Sequence, residues 1–361
     1  IAVFKQLEFI KNKDLGFNKE NVLVIPTKLS MQETLKTAGL FRNEFSNNKN
    51  IIDVSAAVTQ MGGKWSMIGF SLPGGSYDRF YLNVVDYDYL KTMGLKLISG
   101  RNFSRNYATD YDDAVIVNEA FIKHFGLENE VEGKMPGKFV NNKIIGVVKD
   151  FNYESLHSKI KPAAIALNYK NIFQAAEDID THGDPRLLIR IKSGNISSTM
   201  SEIESTWKKL VPNITFSSNF LKDNIEKQYR TEEQLTAIET FSSILSILIT
   251  CLGLFGLSIL ITVQKTKEIG IRRLLGASAY SIYGMLSKEF IMIILAAQLV
   301  GIPAAWYLIN KWLGEFAYRI NDGILIFLSA GIITIIIASA TISFQAIKSA
   351  NANPVDTLRY E

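Results

Sequence analysis

Three long runs without a charged side chain constrain the fold more than any other feature of this sequence. They cover residues 241–263, 290–309 and 324–344, with 23, 20 and 21 residues. A hydrocarbon core about 30 Å thick requires roughly 20 apolar residues at 1.5 Å each. The sequence therefore predicts an all-α transmembrane domain, residues 241–361, with helices at about 241–263, 290–309 and 324–347.

The alternative is three buried helices inside a large soluble core. Helices of soluble proteins carry a polar stripe, whereas the first run is apolar on nearly all sides. Gly253, Gly256 and Ser258 provide the small side chains that allow membrane helices to approach closely. The pattern favours membrane spans.

The charges of the loops predict the orientation. Basic residues are concentrated between the first two runs: Lys265, Lys267, Arg272, Arg273 and Lys288. The second loop has two, Lys311 and Arg319. Because Lys and Arg in short loops are retained in the cytoplasm, we expect the first loop and the C-terminus inside, and the large N-terminal part outside.

The polar part, about 240 residues, differs sharply in composition from the membrane part. The net charge of the chain is only +4, which gives no indication of nucleic-acid binding. Its single cysteine, Cys251, lies in the first run, so the external domain must be held together by core packing without disulfides.

The opening residues Ile-Ala-Val-Phe followed by Lys5 suggest the outer end of a further membrane helix. We therefore expect residues 1–20 to be a truncated helix and linker, and the chain to be a fragment lacking its first transmembrane helix.

Two strand–helix–strand patterns frame the external domain, predicted at residues 21–225. The first has strands at 21–26 and 51–58 around a helix at 32–47; the second has strands at 187–191 and 214–220 around a helix at 197–210. Together they predict an α+β domain with a split βαβ, ferredoxin-like porter-type lobe, in which residues 59–184 form an insertion.

The insertion is predicted to be a second α+β lobe. Strands are expected at 80–85, 114–117 and 143–148, and a short helix at 119–125. Residues 170–184 are polar, and their acidic spacing does not match a calcium loop, so we expect a solvated loop.

Residues 221–238 have the pattern of a charged helix. No proline or glycine separates it from the first apolar run, which predicts a helical stalk at 226–240 and one rigid rod continuous with the membrane helix.

No catalytic constellation is evident in the sequence. His124, His157 and His182 lie apart, without the spacing of a metal site. The glycine–lysine pairs at Gly63-Lys64 and Gly133-Lys134 lack the remainder of a GxxxxGK[ST] pattern. We therefore predict no catalytic, cofactor-binding or metal-binding residues and no ATP hydrolysis by this chain.

The predicted inside loop contains the candidate functional segment, which is expected to be a helix at about 266–278. Ile271, Leu274 and Leu275 would share one face, with the basic side chains off it. Two interpretations remain open: a helix resting on anionic lipid, or a helix docked in a partner's groove. The candidate residues are Lys267, Glu268, Ile269, Gly270, Ile271, Arg272, Arg273, Leu274, Leu275 and Gly276.

Several motifs in order resemble the MacB/FtsX type of ABC transporter permease. KEIGIRRLLGAS after a span, and NPVDTLR at 353–359, resemble the FtsX-like permease domain. Gly94, the GRNF motif at 100–103, VNEA at 117–120 and GVVKDF at 146–151 resemble the MacB-like periplasmic core domain. The resemblance covers essentially the whole chain.

The resemblance implies a bacterial inner-membrane permease, with its N-terminal domain periplasmic and its C-terminus cytoplasmic. A separate ABC ATPase subunit would bind the coupling helix and drive movements of the periplasmic domain (mechanotransmission), for export, efflux or extraction of a substrate. Further implied partners are a second permease unit, as a homodimer or fused repeat, membrane lipid, and in some systems a periplasmic adaptor. The substrate class, whether peptide, macrolide, lipoprotein or control of cell-wall hydrolases, is left open.

Two other functions are considered. A membrane-anchored sensory or binding protein without a motor would be expected to continue into a cytoplasmic signalling domain, whereas the sequence ends at Glu361. An anchored enzyme would need a catalytic constellation and only one span.

Overall fold

A computed structural model describes residues 2–128, 133–320 and 323–350. The chain divides into two compact units, one formed by Lys11–Arg230 and the other by Ile1–Ile10 together with Thr231–Glu361. We refer to the first as the α+β unit and to the second as the helical unit. Each is described by itself.

A four-stranded antiparallel sheet forms the first lobe of the α+β unit, which we call the ferredoxin-like lobe. Its strands have the order β11-β1-β10-β2. The elements in chain order are β1 (Val22–Pro26), α2 (Met31–Glu44), β2 (Ile51–Ala57), β10 (Arg186–Ile191), α7 (Ile196–Leu210), β11 (Asn219–Phe220) and α8 (Leu221–Lys227). Two split βαβ halves in this order confirm the predicted ferredoxin-like fold.

The two long helices of this lobe pack their apolar faces on one side of the sheet. Ser30 begins α2 with a capping box to Glu33, which satisfies free N–H groups at the helix start. The ring of Phe41 from α2 lies 6.2 Å from that of Trp207 from α7, and both side chains are fully buried. The Trp207 Nε1–H donates to the Ile214 carbonyl oxygen at 2.8 Å, so burial of this indole leaves no unpaired donor.

The residues between β2 and β10 form a second lobe, which we call the insert lobe. Its seven-stranded mixed sheet has the order β5-β7-β6-β8-β4-β3-β9. The elements are β3 (Ser66–Ser71), β4 (Tyr77–Val84), α3 (Tyr89–Met93), β5 (Leu97–Gly100), α4 (Asp110–Asp113), β6 (Ala114–Asn118), α5 (Glu119–Phe125), β7 (Lys143–Val148), β8 (Ala163–Ala166), α6 (Lys170–Ala175) and β9 (Asp178–Asp180). The rings of Phe70, Phe80, Phe121 and Phe139 meet edge-on in its core.

The predicted solvated loop at 170–184 is wrong. This segment contains α6 and the edge strand β9, in which Ile179 pairs with Ile68 of β3. The sequence Asp-Ile-Asp of β9 is short and acidic, and charged side chains are well tolerated on an exposed edge strand. The backbone pairing therefore overrides the polar composition of the segment.

The predicted uninterrupted rod from residue 221 into the membrane is also wrong. α8 ends at Lys227, Gln228 and Tyr229 form a turn, and a new helix begins at Arg230. The proposed helical stalk at 226–240 therefore contains a break at Gln228–Tyr229.

The helical unit consists of long helices with largely exposed apolar side chains. They are α1 (Ala2–Asn12), which continues past the unit boundary, α9 (Arg230–Gln264), α10 (Thr266–Leu274), α11 (Ala279–Leu313) and α12 (Gly323–Ala350). Within the described residues, α9, α11 and α12 each contain a stretch long and apolar enough to cross a membrane. The three predicted spans are present, and at 35 residues α9 and α11 extend well beyond the roughly 20 that a bilayer requires.

The start of the chain packs within the helical unit. The Gln6 side chain of α1 is fully buried, where its Nε2–H donates to the Tyr318 carbonyl oxygen and its Oε1 accepts from the Ile320 N–H. This paired contact fastens α1 to the segment between α11 and α12. The C-terminal motif at 353–359 lies outside the described residues.

A buried carboxylate joins the two lobes of the α+β unit. Asp86, in the segment after β4, is 4% exposed and accepts from Ser55 Oγ of β2 and Arg42 Nη2 of α2, both at 2.6 Å. Burial raises the pKa of Asp86 to about 6, although the Ser55 hydrogen bond and the Arg42 charge both lower it. The ionised form is thus disfavoured by folding, even with its partners in place.

This raised pKa predicts a pH-dependent stability. A folded-state pKa above the unfolded value means that the contribution of Asp86 is fully present below about pH 4 and declines as the pH rises through about 6. Asp86→Asn cannot ionise, so its stability relative to the parent chain should increase by about 2–3 kcal/mol between pH 4 and pH 7. Thermal melting of both purified chains across this range measures the difference. If the difference in thermal stability between Asp86→Asn and the parent chain does not change with pH, the raised pKa of Asp86 is contradicted.

Candidate functional site

The segment connecting α9 to α11 forms the short helix α10, as the sequence predicted for this stretch. Glu268 and Arg272 form an ion pair at 2.7 Å one turn apart on its surface. The helix ends at Leu274 and a turn follows, in which Gly276 has a φ of +88° that suits glycine and the Ala277 N–H donates back to the Arg272 carbonyl oxygen at 2.9 Å. Ser278 then caps α11 by accepting from the Ser281 N–H.

α10 is hydrogen-bonded to α9 with almost no interruption. The Lys265 N–H donates to the Ile261 carbonyl oxygen at 3.0 Å, and the Ile269 N–H donates to the Lys265 carbonyl oxygen at 2.9 Å. These are helical i to i−4 bonds across the single residue that separates the two elements. Helical hydrogen bonding therefore continues from the C-terminal end of α9 into α10.

One side of α10 packs against the neighbouring helices. Ile269 is 7% exposed and packs with Ile261 of α9 and with Tyr283 and Met285 of α11. Gly270 is buried beside it. Arg272 reaches the same neighbour, with its Nη1 at 2.9 Å from the Met285 sulfur.

Two apolar side chains of the segment face away from the described part of the helical unit. Ile271 is 55% exposed and Leu275 is 82% exposed. Lys267, Glu268 and Arg272 are exposed as well, and so is Gly276. The side chains of Arg273 and Leu274 lie outside what the structure describes. The sequence placed Ile271 and Leu275 on one face but did not identify Ile269 as the anchoring residue, because the choice depends on Tyr283 and Met285 in another helix.

The residues considered for other chemistry have structural partners. His124 pairs with Asp78 and His182 with Asp180, each at 2.9 Å, and the ring of His157 stacks on that of Tyr229. Among residues 2–128, 133–320 and 323–350, no group of three or more His, Cys, Asp or Glu side chains could hold a metal ion.

The motifs in the α+β unit stabilise its fold. Gly94 and Gly100 have φ values of +67° and +71°, and a Cβ on Gly100 would lie 2.3 Å from the Ile145 carbonyl oxygen. Arg101 donates to both carboxylate oxygens of Asp110 at 2.6 and 2.7 Å. Asn118 caps α5 by accepting from the Phe121 N–H, and the same oxygen accepts from the Ala163 N–H of β8.

Truncating the anchor of α10 should loosen this segment. Ile269→Ala removes a buried side chain, so local opening should become easier by about 2 kcal/mol, which corresponds to roughly 30-fold faster tryptic cleavage after Lys267 and Arg272. The matched variant Ile271→Ala changes an exposed side chain and should leave the cleavage rate unchanged. Equal rates in the two variants would show that Ile269 is not the anchor.

Comparison with known proteins identifies relatives of both parts of the chain. Residues 240–354 match the family model described as FtsX-like permease C-terminal. Over 293 residues the chain is 24% identical to the macrolide export ATP-binding/permease protein MacB of Haemophilus ducreyi, covering 78% of this chain and 40% of the relative. It is 23% identical over 256 residues to a probable export ATP-binding/permease protein of Pseudomonas fluorescens, covering 68% of this chain and 38% of that protein.

Two solved structures show limited similarity to this chain. The periplasmic region of MacB from Actinobacillus actinomycetemcomitans gives a TM-score of 0.38 at 15% identity, covering 61% of this chain and 97% of that one. The extracellular domain of the noncanonic ABC-type transporter YknZ from Gram-positive bacteria gives 0.37 at 16% identity, covering 55% and 100%.

The chain spans about 40% of the length of the curated relatives it matches. Its matched permease segment is the one that contains α10, and the similarity to the curated relatives extends over more than two thirds of its length. Residues 240–354 therefore match the FtsX-like permease family, and over most of its length the chain is similar to ABC transporter permeases of the MacB type.

Proposed function

We propose that this chain is the non-catalytic permease subunit of an ABC transporter and converts ATP hydrolysis on a separate ATPase subunit into movement of the α+β unit outside the membrane. That movement drives export or extraction of a substrate. The observation that supports the proposal best is the exposed apolar pair Ile271 and Leu275 between two membrane helices. Ile271 lies in α10, and Leu275 directly follows the helix with its N–H donating to the Ile271 carbonyl oxygen at 3.1 Å.

The spacing of this pair suits docking into a groove. Residues four apart lie on the same side of a helix, and a helix that binds a groove contributes apolar anchors at such spacing. Ile269, on another side, is already used for packing within the unit. α10 can thus be held by the permease through one side and by an ATPase subunit through another.

The membrane helices favour a mechanical function over a polar channel. The three predicted apolar runs contain no charged residue. The one strongly polar side chain in these runs, Gln298, donates to the Gly331 carbonyl oxygen of α12 at 2.9 Å. Because its amide is used between helices, it supports helix packing in place of a hydrated path.

The remaining partners and the location follow from the same proposal. The names of the curated relatives combine ATP-binding and permease functions, and this chain contains no GxxxxGK[ST] pattern, so we assign hydrolysis to a partner subunit. A second permease unit, membrane lipid and, where present, a periplasmic adaptor would complete the assembly. The chain would lie in the bacterial inner membrane, with α10 in the cytoplasm and the α+β unit outside.

Placing a charge on the exposed apolar pair tests the docking proposal. Leu275→Asp should abolish copurification of an ABC ATPase subunit, because a carboxylate cannot enter an apolar groove without a large desolvation cost. Insertion of the permease in the membrane should be retained.

Ser278→Asp provides the matched control. It adds the same charge three residues away, where Asp caps α11 as well as Ser does, so the ATPase should still copurify. Undiminished copurification with Leu275→Asp would favour a helix that rests on lipid. Failure of any ATPase to copurify with the parent chain would favour the anchored sensory or binding protein.

Reporter insertions test the orientation. A reporter placed after Ser278 should be active only in the cytoplasm, and one placed in the exposed turn at Gly74-Gly75 only outside. This turn is suitable because both glycines have open space around them. Activity on the opposite side at either position would reverse the proposed topology.

A further inference from the structure

The turn between α8 and α9 is anchored by its own side chains. We call Gln228 and Tyr229, which form this turn, the joint. Helical hydrogen bonding is interrupted here, so the backbone alone does not make α8 and α9 one rigid body. Any motion of α9 would therefore reach the α+β unit through the side-chain contacts of the joint.

Tyr229 is fixed in the insert lobe. Its side chain is 5% exposed, and its hydroxyl oxygen accepts from the buried Leu156 N–H at 2.9 Å. The ring stacks with that of His157, with centroids 6.3 Å apart and planes inclined by 23°. This one side chain thus satisfies a buried backbone donor of the loop at 153–158.

Gln228 is fixed to a second loop of the same lobe. Its Nε2–H donates to the Gly62 carbonyl oxygen at 2.6 Å, and the Gly62 N–H in turn donates to the Tyr153 carbonyl oxygen at 2.9 Å. Gly62 has a φ of +80°, and a Cβ there would lie 2.6 Å from Gln228 Nε2. The loops at 60–63 and 153–158 and the joint therefore form one hydrogen-bonded cluster, which requires glycine at position 62.

The helix before the joint is fixed to the other lobe. α8 packs against β1 and β11 of the ferredoxin-like lobe, with Leu221 and Ile225 buried. Asn224 Nδ2 also reaches Gln60 Oε1 at 3.4 Å. The joint thus lies where both lobes of the α+β unit are held together.

We propose that the Gln228–Tyr229 joint delivers the displacement of α9 to the α+β unit, with both residues acting as positioning residues that pull on the loops at 60–63 and 153–158. This inference rests on the proposed function, because the displacement comes from the ATPase through α10. A turn without these anchors would bend under load, and the α+β unit would not follow α9.

The test uses the double variant Gln228→Ala/Tyr229→Phe in the full chain, copurified with its ATPase subunit in lipid nanodiscs. Hydrogen exchange is measured with and without ATP plus orthovanadate. In the parent, protection of residues 60–63 and 153–158 should change on nucleotide trapping. In the double variant, this change should fall at least fivefold, while ATPase copurification and ATPase activity remain at the parent level.

Two controls separate transmission from simple loss of structure. Lys227→Ala alters an exposed neighbour of the joint, and Tyr169→Phe removes an exposed tyrosine hydroxyl elsewhere; both should respond to nucleotide as the parent does. Without nucleotide, Tyr229→Phe alone should accelerate exchange at the Leu156 amide, because its acceptor is gone.

The outcomes distinguish this inference from the proposed function. If nucleotide trapping changes hydrogen exchange equally in the parent and the double variant, with the ATPase bound to both, the proposed role of the joint is overturned. The proposed function is then unaffected. If no ATPase copurifies with the parent, or if the parent shows no nucleotide response, the proposed function fails and the inference fails with it.

Discussion

The requirement that a chain in hydrocarbon satisfy all its backbone hydrogen bonds internally governs the organisation of this protein. Water is absent from that region, so unbroken helices are the structures that three apolar runs can form. The same absence of water makes charged side chains costly, and the three apolar runs contain none that could line a polar path. Mechanical movement of whole helices, transmitted to structures at their ends, is the kind of function that such spans can support.

Each of the two units is held together by hydrogen bonds among its own elements. At the C-terminal end of α9, the hydrogen bonds across Lys265 continue the helical pattern into α10. Within the α+β unit, buried polar contacts hold the two lobes together. Asp86 joins the two lobes, and the guanidinium of Arg190 donates to the carbonyl oxygens of Thr92, Glu20 and Asn18. Such satisfied buried groups favour one arrangement of the parts.

Sequence periodicity predicted the features that local pattern determines and missed those that distant contacts determine. The ferredoxin-like lobe and the three spans follow from the spacing of apolar residues. β8 reads Ala-Ala-Ile-Ala, which has weak strand propensity, and it forms because neighbours on both sides pair with it. At the candidate site, burial of Ile269 and exposure of Ile271 depend on residues of α11. The break at Gln228–Tyr229 contains no proline or glycine, and the absence of these residues is what predicted a continuous helix.

The break is nevertheless a well-formed end of one helix and start of another. At the end of α8, the Gln228 and Tyr229 N–H groups donate to the carbonyl oxygens of Ile225 and Glu226 at 3.1 and 3.0 Å, a tightened last turn. Lys227 lies in the last turn of α8, and Glu232 and Glu233 lie in the first turn of α9. A positive charge at a helix C-terminus and negative charges at a helix N-terminus both interact favourably with the helix dipole. A frayed helix would show neither the tightened turn nor buried anchors. The charges, the capping bonds and the burial of Tyr229 therefore all favour a well-formed end of α8 over a frayed one, with the turn itself held against the insert lobe.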